Sequence, residues 1–159
     1  MQTWVALAFA DGEYDFRLGL AQINEIETKC GPLGEVFARL LRGRYIIGGG
    51  EETGAPNEAA WKVSDLVEVI RQGLIGGGKA RIDGEEVAIT SHRVNELIRN
   101  YVLDRPLSES WTLAAAILSA LIQGYEPPKK AEPPKAAAKT SRKASSEPTD
   151  TPELSPTAS

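Results

Sequence analysis

Trp4-Val5-Ala6-Leu7-Ala8-Phe9-Ala10-Asp11-Gly12-Glu13-Tyr14-Asp15-Phe16-Arg17-Leu18 reads as two strands joined by a turn. Val5, Leu7 and Phe9 alternate with Trp4, Ala6 and Ala8, and Tyr14, Phe16 and Leu18 alternate with Asp15 and Arg17. Period-two patterning on both sides of Asp11-Gly12-Glu13 predicts a β-hairpin with one apolar face. That face needs cover, and the remaining patterns are helical.

Downstream of Gly19, Leu20, Ile23 and Ile26 form a short helical stripe, with Glu25 and Glu27 outside it. Cys30-Gly31-Pro32 ends that helix and opens the next, with glycine past one end and proline just inside the other start. Leu33, Val36, Phe37, Leu40 and Leu41 sit at i, i+3, i+4, i+7 and i+8, the spacing of one buried helix face. Arg39, Arg42 and Arg44 read as cations complementing its C-terminal dipole. Residues 48–57 read as a loop with three consecutive glycines and Pro56. Ser64 is the expected cap of a third helix, striped by Val63, Leu66, Val67, Ile70 and Leu74 and ended by Gly76-Gly77-Gly78.

Residues 81–90 leave two readings open. Asp83-Gly84 turns a small hairpin between residues 80–82 and 87–89, or the stretch is an irregular connection. Ser91 is the expected cap of a fourth helix bearing Val94, Leu97, Ile98, Tyr101 and Val102, broken by Asp104-Arg105-Pro106. Ser108 and Glu109 open a fifth. Trp111, Ala114, Ala115, Leu118 and Ile122 stripe it, and Leu113, Ile117, Ala120 and Leu121 carry apolar character almost all the way round. A helix that apolar is either central in a core or part of a contact surface.

The last 34 residues differ from the rest. They hold seven of the ten prolines, with Leu154 as their one large aliphatic residue. Such a composition cannot offset an ordering cost of about 1–2 kcal/mol per residue. The expected organisation is a body over residues 1–125 and a disordered tail over 126–159. The fold class is α+β: an N-terminal β-hairpin, then a mainly helical domain of four to five helices.

Composition narrows the chemistry. The chain has 159 residues and carries 18 Lys and Arg against 22 Asp and Glu, net −4. Without its tail the body is more acidic still, which argues against broad nucleic-acid binding. One cysteine excludes a disulfide framework and a Cys-rich zinc site, and one histidine excludes two-histidine metal chemistry. The longest apolar stretch, residues 111–122, is shorter than the ~20 a bilayer requires. The N-terminus has no basic region and Asp11 interrupts its apolar run, so no signal peptide is expected. A soluble protein with a reduced Cys30 follows.

Gly73-Leu74-Ile75-Gly76-Gly77-Gly78-Lys79 fits seven places of a phosphate-binding loop, but Ala80 stands where Ser or Thr must hold magnesium. The run also follows a helix rather than a strand, so it reads as a helix stop. His92 reads as a surface side chain in a first helical turn, and Cys30 as a structural thiol. No nucleophile, base, metal set or cofactor site survives, and none is expected. Trp4, Trp61 and Trp111 are the largest apolar side chains. Trp61 borders the glycine-rich loop and is the one expected to be exposed enough to anchor a protein contact.

The order of motifs over residues 4–124 resembles the gene transfer agent family proteins of phage-like tail clusters, grouped with the phage tail assembly chaperones. The residues that carry the resemblance are Tyr14-Asp15-Phe16-Arg17-Leu18, Ile23-Asn24-Glu25-Ile26-Glu27, Leu33-Gly34-Glu35-Val36-Phe37-Ala38-Arg39-Leu40 and Asp65-Leu66-Val67-Glu68-Val69-Ile70. Gly73-Leu74, Val94-Asn95-Glu96-Leu97-Ile98 and the alanine-rich closing helix complete them. Residues 48–57, residues 83–90 and the long tail depart from the pattern. The resemblance implies a non-enzymatic factor that binds the tape measure protein in the host cytoplasm during tail morphogenesis. The tail tube protein and self-association are further partners it leaves open. Some members carry a tail tube label, so the alternative is a structural protein retained in the virion tail. Candidate contact residues are Trp61, Trp111, Leu118 and Ile122. Lys129-Lys130 could mark a slippery adenine run and a frameshifted long form, which the nucleotide sequence decides.

Overall fold

A computed structural model describes residues 1–47 and 61–129, without the side chains of residues 43–47. The expected loop at residues 48–57, the side chains of Arg44 and Tyr45, and the tail from Lys130 onward lie outside the described residues. The chain divides into two compact units, Met1–Pro127 and Pro128–Ser159. The first holds every described strand and helix.

The hairpin forms as β1 (Trp4–Phe9) and β2 (Gly12–Arg17), antiparallel with Val5 opposite Phe16 and Leu7 opposite Tyr14. The turn lies one residue earlier than its glycine suggests. Ala10 and Asp11 make it, with Ala10 at φ 54°, and Gly12 is already in the strand. Gly12 serves another purpose there: a Cβ would stand 2.5 Å from the Arg81 carbonyl oxygen. That carbonyl belongs to β3 (Lys79–Ile82), which pairs with β2 and turns through Asp83-Gly84 into β4 (Glu85–Ala88). Asp83 and Gly84 both have positive φ, as a two-residue type I′ turn requires. The second hairpin therefore forms and joins the first in one four-stranded sheet, β1-β2-β3-β4.

Helices α1 (Leu20–Cys30), α2 (Leu33–Ile47), α3 (Val63–Gly77), α4 (Ser91–Ile98) and α5 (Leu107–Gln123) complete the body. A π-turn at Arg99–Leu103 continues α4, so the expected fourth helix changes pitch before its break. Helix α3 is the hub. It packs on β2 and against α1, α4 and α5. Its last turn lies against β2, where a Cβ on Gly76 or Gly77 would overlap the carbonyls of Arg17 or Asp15. The glycine run is thus a helix stop, as expected, closed by Gly78 at φ 69°, and also the close approach that feeds the chain into β3.

The core joins the inner sheet face (Val5, Tyr14, Phe16) to Ile26, Val36, Leu40, Leu66, Ile70, Leu97, Ile117 and Leu118. Several expected stripe positions fall outside it. Leu20 is 75% exposed because it occupies the first position of α1 and faces away from the α3 side taken by Ile26 and Cys30. Val63 and Leu41 are also exposed, and Phe37 is partly buried against the core. Neither expected cap serves. The Thr90 hydroxyl, one residue before Ser91, accepts the Arg93 N–H, and α3 starts after Lys62, two residues before Ser64, with the Asp65 carboxylate reaching back to accept the Lys62 N–H. At the body's ends, Gln2 and Tyr125 exchange two backbone bonds, at 3.1 and 2.8 Å.

Candidate partner-binding surface

The four candidate contact residues are not equally exposed. Trp111 is 2% exposed: its indole N–H donates to the Leu40 carbonyl at 2.8 Å, which pins α5 to α2. Leu118 is fully enclosed. Both serve the core, because α5 is covered at once by α2, α3, β1, β2 and the π-turn. The apolar girth of α5 is therefore largely used inside the domain. Ile122, in its last turn, is 47% exposed. Trp61 is half-buried and meets the Trp111 ring edge-on at 4.8 Å between centroids. Trp61, Trp111 and Leu40 thus mark one corner of the body, where α2, α5 and the start of α3 converge. Next along the chain at this corner come Leu41 and Val63, both exposed large apolar side chains.

A buried polar seam stands behind that corner. Asp65 is wholly buried and binds Arg39 through Nε and Nη2, both at 2.9 Å. Arg39 Nη2 also donates to the Cys30 carbonyl at 2.8 Å. One guanidinium so joins the end of α1, the middle of α2 and the first turn of α3. Arg39 is mid-helix, and its role is this pair rather than the dipole role expected from sequence. The Asp65 hydrogen bond holds its pKa up, above even the usual guanidinium value. Nearby, Lys29 Nζ donates to Glu68 at 2.8 Å, which raises the lysine pKa, and Gln72 donates to the same carboxylate oxygen at 2.9 Å. Burial, helped by Asp65 and Glu68, pushes the Cys30 thiol up, so it is a poor nucleophile, as expected for a structural thiol. Sequence reasoning missed this seam. Its signal was available: Asp65, Glu68 and Gln72 recur at helical spacing on an otherwise apolar helix.

A second polar node joins the hairpin turn to α4. The Asp11 carboxylate accepts the Tyr14 hydroxyl at 2.5 Å and Arg93 Nη2 at 2.7 Å. The Tyr14 bond, then Arg93, hold the Asp11 pKa below its ordinary value, while burial first and Asp11 second raise that of Tyr14. His92 is exposed, 3.7 Å from Glu96, and touches no nucleophile. A cleft of about 180 Å³ is lined by Phe9, Tyr101, Arg105, Glu109, Ser110 and Leu113. Arg105 stacks over Tyr101 there, and the Ser110 hydroxyl bonds to no base that could activate it. Among the described residues, no three His, Cys, Asp or Glu side chains converge as a metal site, and no helix is long and apolar enough to cross a membrane.

Residues 3–53 match the family described as phage tail tube protein, GTA-gp10. No curated protein and no solved structure matches the chain. The matched segment takes in β1, β2, α1 and α2, so it holds Arg39 and Lys29 but not their partners on α3. Through its first hairpin and first two helices, the chain is similar to the gene transfer agent and phage tail family that its motifs resemble.

Proposed function

We propose that this chain is a non-enzymatic tail assembly chaperone that holds the tape measure protein in the cytoplasm until the tail tube forms around it. The similarity of residues 3–53 to a phage tail family carries this reading. The mechanism rests on the α2–α5 corner. A tape measure exposes long apolar helical stripes that aggregate when unpaired. Trp61 offers an aromatic anchor on a rigid backing, because Trp111 and Leu40 are fixed behind it, and Leu41 and Val63, which follow Leu40 and Trp61 in the chain, are also exposed. Ile122 is a candidate for a further contact on α5. Trp111 and Leu118 support that surface from within the core.

The test is co-expression with a phage-type tape measure protein from the same genome. Soluble complex is expected with the native chain and much less with Trp61→Ala at equal expression, with a melting temperature lowered far less than by a core truncation such as Leu118→Ala. Insoluble tape measure in the presence of the folded native chain would end the chaperone reading. A structural tail protein is the second reading, favoured by the tail tube wording of the matched family.

A further inference from the structure

The two edges of the sheet are built differently. Strand β4 is four residues long, exposed throughout, and carries Glu85 and Glu86, the usual guards against edge pairing. Strand β1 is six residues long, Trp-Val-Ala-Leu-Ala-Phe, with no charge and no proline.

Pairing parity identifies what that edge offers. Phe9 and Gly12 close a two-residue turn, so Phe9, Leu7 and Val5 bond to β2, and Trp4, Ala6 and Ala8 aim their N–H and C=O groups outward. Two observations agree. Gln2 has the same parity and pairs outward with Tyr125, and the Gln2 side-chain amide donates to the Trp4 carbonyl at 3.0 Å. Among the described residues, the outward backbone groups of Ala6 and Ala8 have no partner.

We propose that β1 pairs, antiparallel and across a two-fold axis, with β1 of a second copy of this chain. A second copy fits because two uncharged strands meet without like-charge contact, whereas self-pairing of β4 would bring Glu85 and Glu86 together. Geometry also selects the register. Tyr125 occupies the place beside Gln2, which blocks an axis through Ala6, because the second copy's turn would fall on Tyr125. An axis through Leu7 leaves Tyr125 in place. It sets Ala6 opposite the second copy's Ala8 at both ends, giving four reciprocal backbone bonds. The half-buried Leu7 side chains then meet on the inner face, and only alanines meet at the hydrogen-bonded pairs on the outer one. The contact is small, so the dimer is reversible and depends on concentration. It is independent of whether the tape measure is the partner.

Sedimentation velocity of the full chain over a concentration series tests this. The native chain is expected to shift from monomer to dimer. Ala8→Pro removes an outward N–H that no bond within the body uses, and Ala6→Lys places a charge on the exposed edge. Each should weaken dimerisation by about tenfold or more, while Ala88→Lys on the opposite edge should leave it unchanged. Ala6→Lys keeps the test valid if the proline variant fails to fold. A native chain that stays monomeric throughout, or folded edge variants that dimerise as well as the native chain, would overturn the proposal, as would equal loss in Ala88→Lys.

Discussion

Replacing Asp65 by alanine should destabilise the body far more than any surface change. The carboxylate is fully enclosed, and the Arg39 side chain is only 12% exposed. Without Asp65, the guanidinium keeps the Cys30 carbonyl and a remote Glu35 at 3.9 Å, and the Lys62 N–H loses its acceptor. Breaking a buried pair by removing one partner costs about 3–5 kcal/mol, because the survivor is left charged and uncompensated. Arg39→Met alone should cost a similar amount. The double variant Arg39→Met, Asp65→Leu removes both charges. It still gives up a helix cap and a bond to the Cys30 carbonyl, together about 1–2 kcal/mol, so it should be more stable than either single variant. Urea unfolding followed by tryptophan fluorescence reads this directly, since Trp61 and Trp111 sit beside the seam. A loss below about 1 kcal/mol for Asp65→Ala, or a double variant whose loss equals the sum of the singles, would refute the reasoning.

Gly77→Ala should lower the melting temperature, since its Cβ meets the Asp15 carbonyl and overpacking costs about 1–3 kcal/mol; Gly34→Ala, with nothing within 4 Å, should raise stability by about 0.5–1 kcal/mol. Asp11 should titrate below its ordinary value of 3.8 by carboxyl NMR, and Tyr14→Phe and Arg93→Gln should each raise it, because the Tyr14 bond and the Arg93 charge both hold it down. Since the folded pKa is depressed, this node stabilises the protein above pH 3.8 and its contribution is lost as pH falls through the folded value. Leu118→Ala should destabilise the body by about 2–5 kcal/mol, whereas Trp61→Ala should cost about 0.5–1.5 kcal/mol for the lost ring pair and impair partner capture; equal thermal losses would contradict the separation.

How much of this was legible depended on how each element meets water. The first hairpin was readable because β1 and β2 each bury one face, which imposes alternation. The second was readable only as one of two alternatives, because Asp83-Gly84 signals its turn but β4 buries neither face and so carries no alternation. Gly12 looks like a turn residue, yet it answers to the carbonyl of Arg81 on β3, 69 residues away in sequence. The cap expected at Ser91 falls to Thr90, whose hydroxyl takes the Arg93 N–H, and the start expected at Ser64 moves to Lys62 because Asp65 reaches back to the Lys62 N–H. The π-turn left no local signal at all. For the candidate surface, sequence singled out Trp61 and Ile122 together with Trp111 and Leu118. An all-round apolar helix is ambiguous between core and contact until its neighbours are placed, and five surrounding elements place Trp111 and Leu118 in the core.

The most direct test of the assembly role is the composition of purified particles compared with that of assembly intermediates from the same cells. Quantitative mass spectrometry should find this chain bound to the tape measure protein before tube formation and nearly absent from finished tails. Recovery from finished tails in fixed ratio to the tube protein would contradict it and establish a structural component instead.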